Sequence, residues 1–227
     1  MFIYLIVFLL GAAVGSFLNV VAKSLPVGAN WWSRRSACSQ CKMVLAPWQL
    51  IPMFSFFLQK GRCHKCQAPI SPMYLIVEIT GGLLFISPLL LQIPILYSWL
   101  FFALLLAVSL TDFYYFLIPN KILIAFGIPL FWLQPQFAAA LIGLMFFYGT
   151  SILGKLLFKK QTIGGGDIKL YLIIGLVLPI YYLFLSITLA SASALVFVLL
   201  FAQNKKQEIP FAPFIALGSL LAYFSMF

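Results

Sequence analysis

Three long uncharged runs organise the chain. Residues 79–111, 122–154 and 170–204 carry no charged side chain and measure 33, 33 and 35 residues. A helix crossing a bilayer upright needs about 20 residues. Each run is therefore too long for one crossing and suits two helices joined by a tight turn. Turn-forming residues lie near each middle: Gln92-Ile93-Pro94, Gln134-Pro135-Gln136 and Leu178-Pro179. The pattern predicts three helical hairpins. A first apolar helix over 2–22 and a last over 211–226 bring the total to eight, an all-α polytopic membrane protein. No basic segment precedes residues 2–22 and no small-x-small cleavage site follows, so they read as a retained helix rather than a signal peptide.

Composition agrees. The 227 residues are 64% hydrophobic and 8% charged, against roughly 25% charged in soluble domains. The net charge of +10 comes from 14 Lys and Arg against 4 acids. If each run is a hairpin, every charged segment returns to one side, which then holds all the basic residues from Lys23 to Lys206. Basic loops mark the cytoplasmic side, so both termini are expected outside, in a bacterial inner membrane. The basic charge is thus explained by the lipid bilayer and not by nucleic acid. Three long tilted helices are the alternative, and they would scatter basic loops over both faces. The expected division is 1–22, a first transmembrane helix; 23–72, a polar cytoplasmic insert; and 73–227, a core of about seven helices.

All four cysteines fall in the insert, as Cys38-Ser-Gln-Cys41 and Cys63-His-Lys-Cys66, with 21 residues between the pairs. This is close to the spacing of a four-cysteine zinc site, in which each C-x-x-C turn presents two thiolates and four complete a tetrahedron. A reducing cytoplasm disfavours disulfides. Four sulfurs leave no open position, so the metal is expected to be structural, holding together an insert too small to build its own core. His64 is expected at the surface.

The four acids are Glu78, Asp112, Asp167 and Glu208, and acids near a membrane usually serve a function. Asp112 stands at the end of the third expected helix, in Leu110-Thr111-Asp112-Phe113, shortly before Ile118-Pro119-Asn120. Asp167 opens the sixth, in Gly164-Gly165-Gly166-Asp167-Ile168-Lys169. Two helices lie between them, so both carboxylates return to one face. Two adjacent carboxylates share a proton. One can then activate water while the other protonates a substrate carbonyl, as in aspartic proteases. The plainer readings are a helix cap for Asp167 and a lysine partner for Asp112. Three glycines beside Asp167 would admit a substrate backbone. By the helix dipole, Asp112 at a C-terminus is expected to hold the shared proton.

These motifs together resemble the type IV prepilin peptidase family. Gly164-Gly165-Gly166-Asp167, followed by Ile168-Lys169-Leu170, is similar to its Gly-x-Gly-Asp motif. Asp112 with Ile118-Pro119-Asn120, Gly15-Ser16-Phe17-Leu18-Asn19-Val20, the paired C-x-x-C insert, Ser71…Tyr74…Glu78 and Phe211-Ala212-Pro213-Phe214 match further family features. The resemblance implies an eight-helix enzyme that removes the basic leader, ending in glycine, from prepilins or pseudopilins on the cytoplasmic side. It also implies S-adenosylmethionine-dependent methylation of the new N-terminus. Carried over, Asp112 and Asp167 form the dyad, and Cys38, Cys41, Cys63 and Cys66 hold zinc. Gly164, Gly165, Gly166 and Lys169 lie where substrate passes. Glu78 is a candidate for the cofactor half or for pairing with a basic loop residue. Lys23, Gln49-Leu50-Ile51-Pro52 and Met73 depart from the family pattern, away from the dyad. A peptidase without methylation, and a non-enzymatic transporter or assembly factor with a zinc knob, are the alternatives.

Overall fold

The computed structural model describes residues 2–29, 35–133, 135–158, 164–201 and 209–227. Nine α-helices occur among them: α1 (Phe2–Ser24), α2 (Phe54–Leu58), α3 (Met73–Leu91), α4 (Ile95–Tyr115), α5 (Asn120–Leu133), α6 (Phe137–Phe158), α7 (Gly165–Val177), α8 (Ile180–Phe201) and α9 (Ala212–Phe224). Setting aside the five-residue α2, eight long helices remain, the number the uncharged runs predict.

The expected turns separate them. Gln92 ends α3 in the left-handed conformation, with its N–H on the Pro88 carbonyl. Proline cannot continue an ordinary helical ladder, and Pro179 stands directly before α8. Pro135 and Gln136 lie between α5 and α6, while Gln134 of that turn lies outside the described residues. So do Arg34, Lys159, Lys160, Lys205, Lys206 and Glu208.

Among the described residues, five helices are long and apolar enough to cross a membrane: α1, α3, α4, α8 and Phe137–Leu157 of α6. The other three are shorter than the eight-crossing expectation requires. α5 has 14 residues and α7 and α9 have 13 each, whereas a full crossing takes about 20. The physical reason is visible at their starts. α5 cannot extend backward through Pro119, and α7 begins only at Gly165, next to Asp167.

The chain divides into two compact units, Met1–Ile95 and Leu96–Phe227. In the first, α1 packs along α3 with backbones in contact. A Cβ on Gly81 would stand 2.5 Å from the Gly11 carbonyl oxygen, and one on Gly11 equally close to that of Gly81. Gly15 meets the Val77 carbonyl in the same way. Small residues permit such close helix packing in a membrane. Between α1 and α3 lies the insert, with a short 3₁₀ turn (Pro47–Leu50), α2 and two isolated β-bridges.

In the second unit α4 is the central helix. Phe101, Phe102, Leu104 and Leu105 are at most 1% exposed. Tyr223 of α9 packs tilted against Phe101 and edge-to-face with Phe102, with ring centroids 5.4 and 5.5 Å away. Its hydroxyl hydrogen-bonds Ser98 Oγ at 2.7 Å. Tyr97 of α4 donates to the Leu176 carbonyl near the end of α7, at 3.2 Å. α7 packs on α5 and α6, where Tyr171 stacks on Phe147 at 4.1 Å. α8 pairs with α9. Its outer side chains, such as Leu195 and Leu199, are exposed, as a lipid-facing helix requires.

Candidate active site and metal centre

Asp112 lies in the last turn of α4 and is buried. Its Oδ2 accepts the backbone N–H of Ala212 at 2.8 Å. Ala212 is the first residue of α9. The first N–H groups of a helix have no partner within it, and a carboxylate there also meets the positive end of the dipole. Asp112 thus ends one helix and caps another. This removes the basis of the dipole expectation, because α9 returns its N-terminus to Asp112. Both aspartates face helix N-termini, since Asp167 occupies the first turn of α7.

The two carboxylates, from α4 and α7 of the same unit, are close enough to interact electrostatically. What separates them in sequence is the α5–α6 hairpin. Among the described residues, no lysine or arginine forms an ion pair with Asp112 or Asp167. The plainer reading of Asp112 as a lysine partner therefore finds no support in the structure.

The glycines divide by role. A Cβ on Gly164 would lie 3.1 Å from Asp167 Oδ2. One on Gly166 would lie 2.9 Å from Ile118 Cβ, between α4 and α5. One on Gly165 would meet nothing within 4 Å. So Gly164 leaves the carboxylate open, Gly166 lets α7 approach Ile118, and Gly165 borders free space. Lys169, one turn on, is exposed and donates to Asn120 Oδ1 at the start of α5, at 2.9 Å. It ties α7 to α5.

Glu78 lies in the other unit and is 7% exposed. One oxygen accepts the Ser16 hydroxyl at 2.9 Å and the other the Met53 backbone N–H at 2.7 Å. Among the described residues its partners are thus α1 and the insert, not a basic loop residue. Met53 has φ 61° and ψ −50°. The Phe54 N–H reaches back to the Pro52 carbonyl at 2.6 Å. This is the rare, strained hand of γ-turn. Sequence reasoning missed Met53, since nothing in Pro-Met-Phe marks a positive φ. Two of the departures from the family pattern are also structural. Lys23 places its ammonium 4.0 Å from the Tyr74 ring centroid. Gln49 is buried, accepts the Ala46 N–H and donates to Gln59.

The four cysteine sulfurs lie within 4.8 Å of one another. Cys38 and Cys66 are 3.8 Å apart, and Cys41 and Cys63 4.0 Å. The two C-x-x-C segments are built alike. The Cys38 N–H bonds the Met43 carbonyl and the Lys42 N–H returns to Cys38; Cys63 does the same with Ala68 and Gln67. Lys42 and Gln67 both take φ near 57°, at 57° and 58°, turning each hairpin so that its two thiols face the other pair. The backbone N–H groups of Cys41 and Gln40 pull the Cys38 thiol down to about 6. Those of Cys66 and Lys65 lower Cys63. The Ala68 N–H favours the Cys66 thiolate, but desolvation and the three neighbouring sulfurs push its pKa up to about 11. Four thiols this close cannot all ionise without a cation among them, and the donor set suits one metal ion. His64 is exposed, with its ring edge-on to Trp48.

Comparison with known proteins gives the chain a family. Residues 9–93 match the family model described as Bacterial Peptidase A24 N-terminal domain, and residues 99–199 that of the Type IV leader peptidase family. A prepilin leader peptidase/N-methyltransferase of Bacillus subtilis (strain 168) is 35% identical over 235 residues, covering 96% of this chain and 92% of that one. Proteins of the same name from Burkholderia pseudomallei (strain 1026b) and Legionella pneumophila are 29% and 27% identical, over 95% and 98% of this chain and 83% and 91% of theirs. No solved structure matches the chain. With a Gly-x-Gly-Asp segment, a second aspartate buried in the same unit, a four-cysteine insert and relatives that align over nearly its full length, the chain belongs to the type IV leader peptidase family.

Proposed function

We propose that the protein is a membrane aspartic endopeptidase that removes the basic leader from type IV prepilins or pseudopilins at the cytoplasmic face, and then methylates the exposed N-terminus. The observation that carries the peptidase half is the pairing of Asp112 and Asp167, two helices apart in sequence and within electrostatic range in space. In this reading one carboxylate takes a proton from water. The other, holding the shared proton, gives it to the carbonyl oxygen of the scissile bond. The Ala212 N–H holds Asp112 in place. The absence of a side chain on Gly164 leaves room for the substrate backbone beside Asp167. Lys169 borders the same entrance. The apolar helix of the substrate lies in the bilayer, which puts its scissile bond at the depth of the dyad.

The methyltransferase half is supported by the names of the relatives, and S-adenosylmethionine is its methyl donor. Glu78 serves this half by holding the insert against α1 and α3. Cys38, Cys41, Cys63 and Cys66 take a structural zinc ion. Zinc–sulfur bonds of about 2.3 Å require tetrahedral edges of about 3.8 Å, which the Cys38–Cys66 separation meets at 3.8 Å. Bound there, zinc cross-links the two hairpins of the insert. The basic residues of the insert and loops support a cytoplasmic orientation in a bacterial inner membrane.

The test is incubation of membranes containing the protein with a panel of prepilins and pseudopilins, followed by mass spectrometry of the products. The expected result is one cleavage, after the leader glycine, with a methyl group on the new N-terminus. Normal cleavage by Asp112→Asn or Asp167→Asn protein overturns the peptidase assignment. A cleaved but unmethylated product overturns the methyltransferase assignment alone.

A further inference from the structure

The insert carries an apolar lip that no part of the proposed chemistry uses. Trp48, Leu50, Ile51, Phe54, Phe57 and Leu58 are each 43–67% exposed. No residue of α2 is buried. Exposed apolar side chains in such number along one short segment mark an interaction surface.

Glu78 sets where this surface lies. Its carboxylate holds the Met53 N–H, one residue before α2. Glu78 is five residues into α3, about 7.5 Å of helix at 1.5 Å per residue. The start of α3 is marked by Tyr74, which the Lys23 ammonium at the end of α1 covers at 4.0 Å. A lysine and a tyrosine paired at adjoining ends of two crossing helices are the groups expected at a membrane–water interface. Glu78 is four residues on from Tyr74, so Met53 is held about one turn inside that boundary. Interfacial segments place their apolar face about 5–10 Å into the headgroup–acyl boundary, the same depth. The strained γ-turn at Met53 presents its N–H to Glu78 directly before α2 begins.

The charge beside the lip has one sign. The insert over 23–72 contains no acid. A cleft of about 580 Å³ joins Trp48 and Leu58 of the lip to Lys60, Arg62 and His64. One wall of the cleft is apolar, through Trp48 and Leu58, and the other carries Lys60 and Arg62, whose charge suits a phosphate.

We propose that residues 47–58 form an interfacial anchor, seated in the leaflet from which the insert emerges, and that the Trp48–Arg62 cleft holds the headgroup of an anionic phospholipid. The anchor keeps the zinc-site end of the insert flat on the membrane. It is independent of the catalytic assignment, since it needs neither the dyad nor a substrate.

The test uses the full-length, metal-replete protein in nanodiscs of phosphatidylglycerol and phosphatidylcholine, without substrate. Phe57→p-benzoylphenylalanine and, separately, Phe54→p-benzoylphenylalanine are irradiated, and the adducts are identified by mass spectrometry. Gln40, exposed on the first cysteine hairpin, carries the same group as control. Lipid acyl adducts at 54 and 57 but not at 40 are the expected result. Adducts to protein only, whether the same chain or a second copy, overturn the anchor, as does equal lipid labelling at 40. The cleft is read by native mass spectrometry of bound phosphatidylglycerol. Lys60→Gln and Arg62→Gln are each expected to lower its retention by about fivefold, the weight of one basic residue at an anionic surface. Unchanged retention in both overturns the headgroup site.

Discussion

The Asp112 carboxylate accepts the Ala212 backbone N–H across 100 residues of sequence, at 2.8 Å. One side chain thereby serves the proposed chemistry and the start of α9. The two roles separate on substitution. Asp112→Asn keeps an acceptor for the N–H and is expected to be inactive yet as stable as the parent. Asp112→Ala is expected to be inactive and less stable by about 1–3 kcal/mol, the penalty for a buried donor left unpaired. Cleavage assays with thermal unfolding in one detergent measure both. Equal stability of the two variants would show that the Ala212 contact contributes nothing.

The three glycines before Asp167 are not equivalent. Gly165→Ala meets no atom and is expected to retain parental activity. Gly166→Ala drives a methyl into Ile118 and is expected to destabilise the protein by about 1–3 kcal/mol, as overpacking does. Gly164→Ala crowds the Asp167 carboxylate while its backbone, at φ −66° and ψ 138°, suits any residue. It is expected to fold normally and lose about tenfold or more in cleavage rate. Loss of activity in Gly165→Ala alone would reverse this ranking.

Metal content is expected to be one zinc ion per chain by elemental analysis. Cys63→Ser is expected to lose it and to expose the insert to proteolysis. Removing a ligand of a structural thiolate site removes folding energy outright. Tryptic cleavage at Lys42, Lys60 and Lys65 reads this directly, since all three lie in the insert. Retention of full metal content by Cys63→Ser would refute the four-sulfur site.

Gly81→Ala introduces a methyl 2.5 Å from the Gly11 carbonyl oxygen. Both are backbone-bound and neither can rotate aside, so α1 and α3 must part. The expected loss is about 1–3 kcal/mol or more, seen as a lower thermal midpoint. Gly149→Ala, with nothing within 4 Å, is the control and is expected to leave the midpoint unchanged.

By itself the sequence determined the helix count, the turns and the chemistry on offer. Uncharged runs with a proline or glutamine near the middle can satisfy backbone groups in lipid only as helices, and C-x-x-C pairs carry their own local geometry. Asp112 and Asp167 read as a pair in the sequence because two intervening helices are expected to return the chain to one face. What depends on approach between distant segments was decided only by the tertiary structure. The Ala212 cap on Asp112, the Met53 γ-turn held by Glu78, and the division of labour among Gly164, Gly165 and Gly166 all depend on which backbone comes within 3 Å of which. Hydropathy does not mark the shortness of α5, α7 and α9. A pattern of residue types states what a segment can form; the close packing of other segments against it decides which atoms must be small, which N–H lacks a partner, and which carboxylate supplies one.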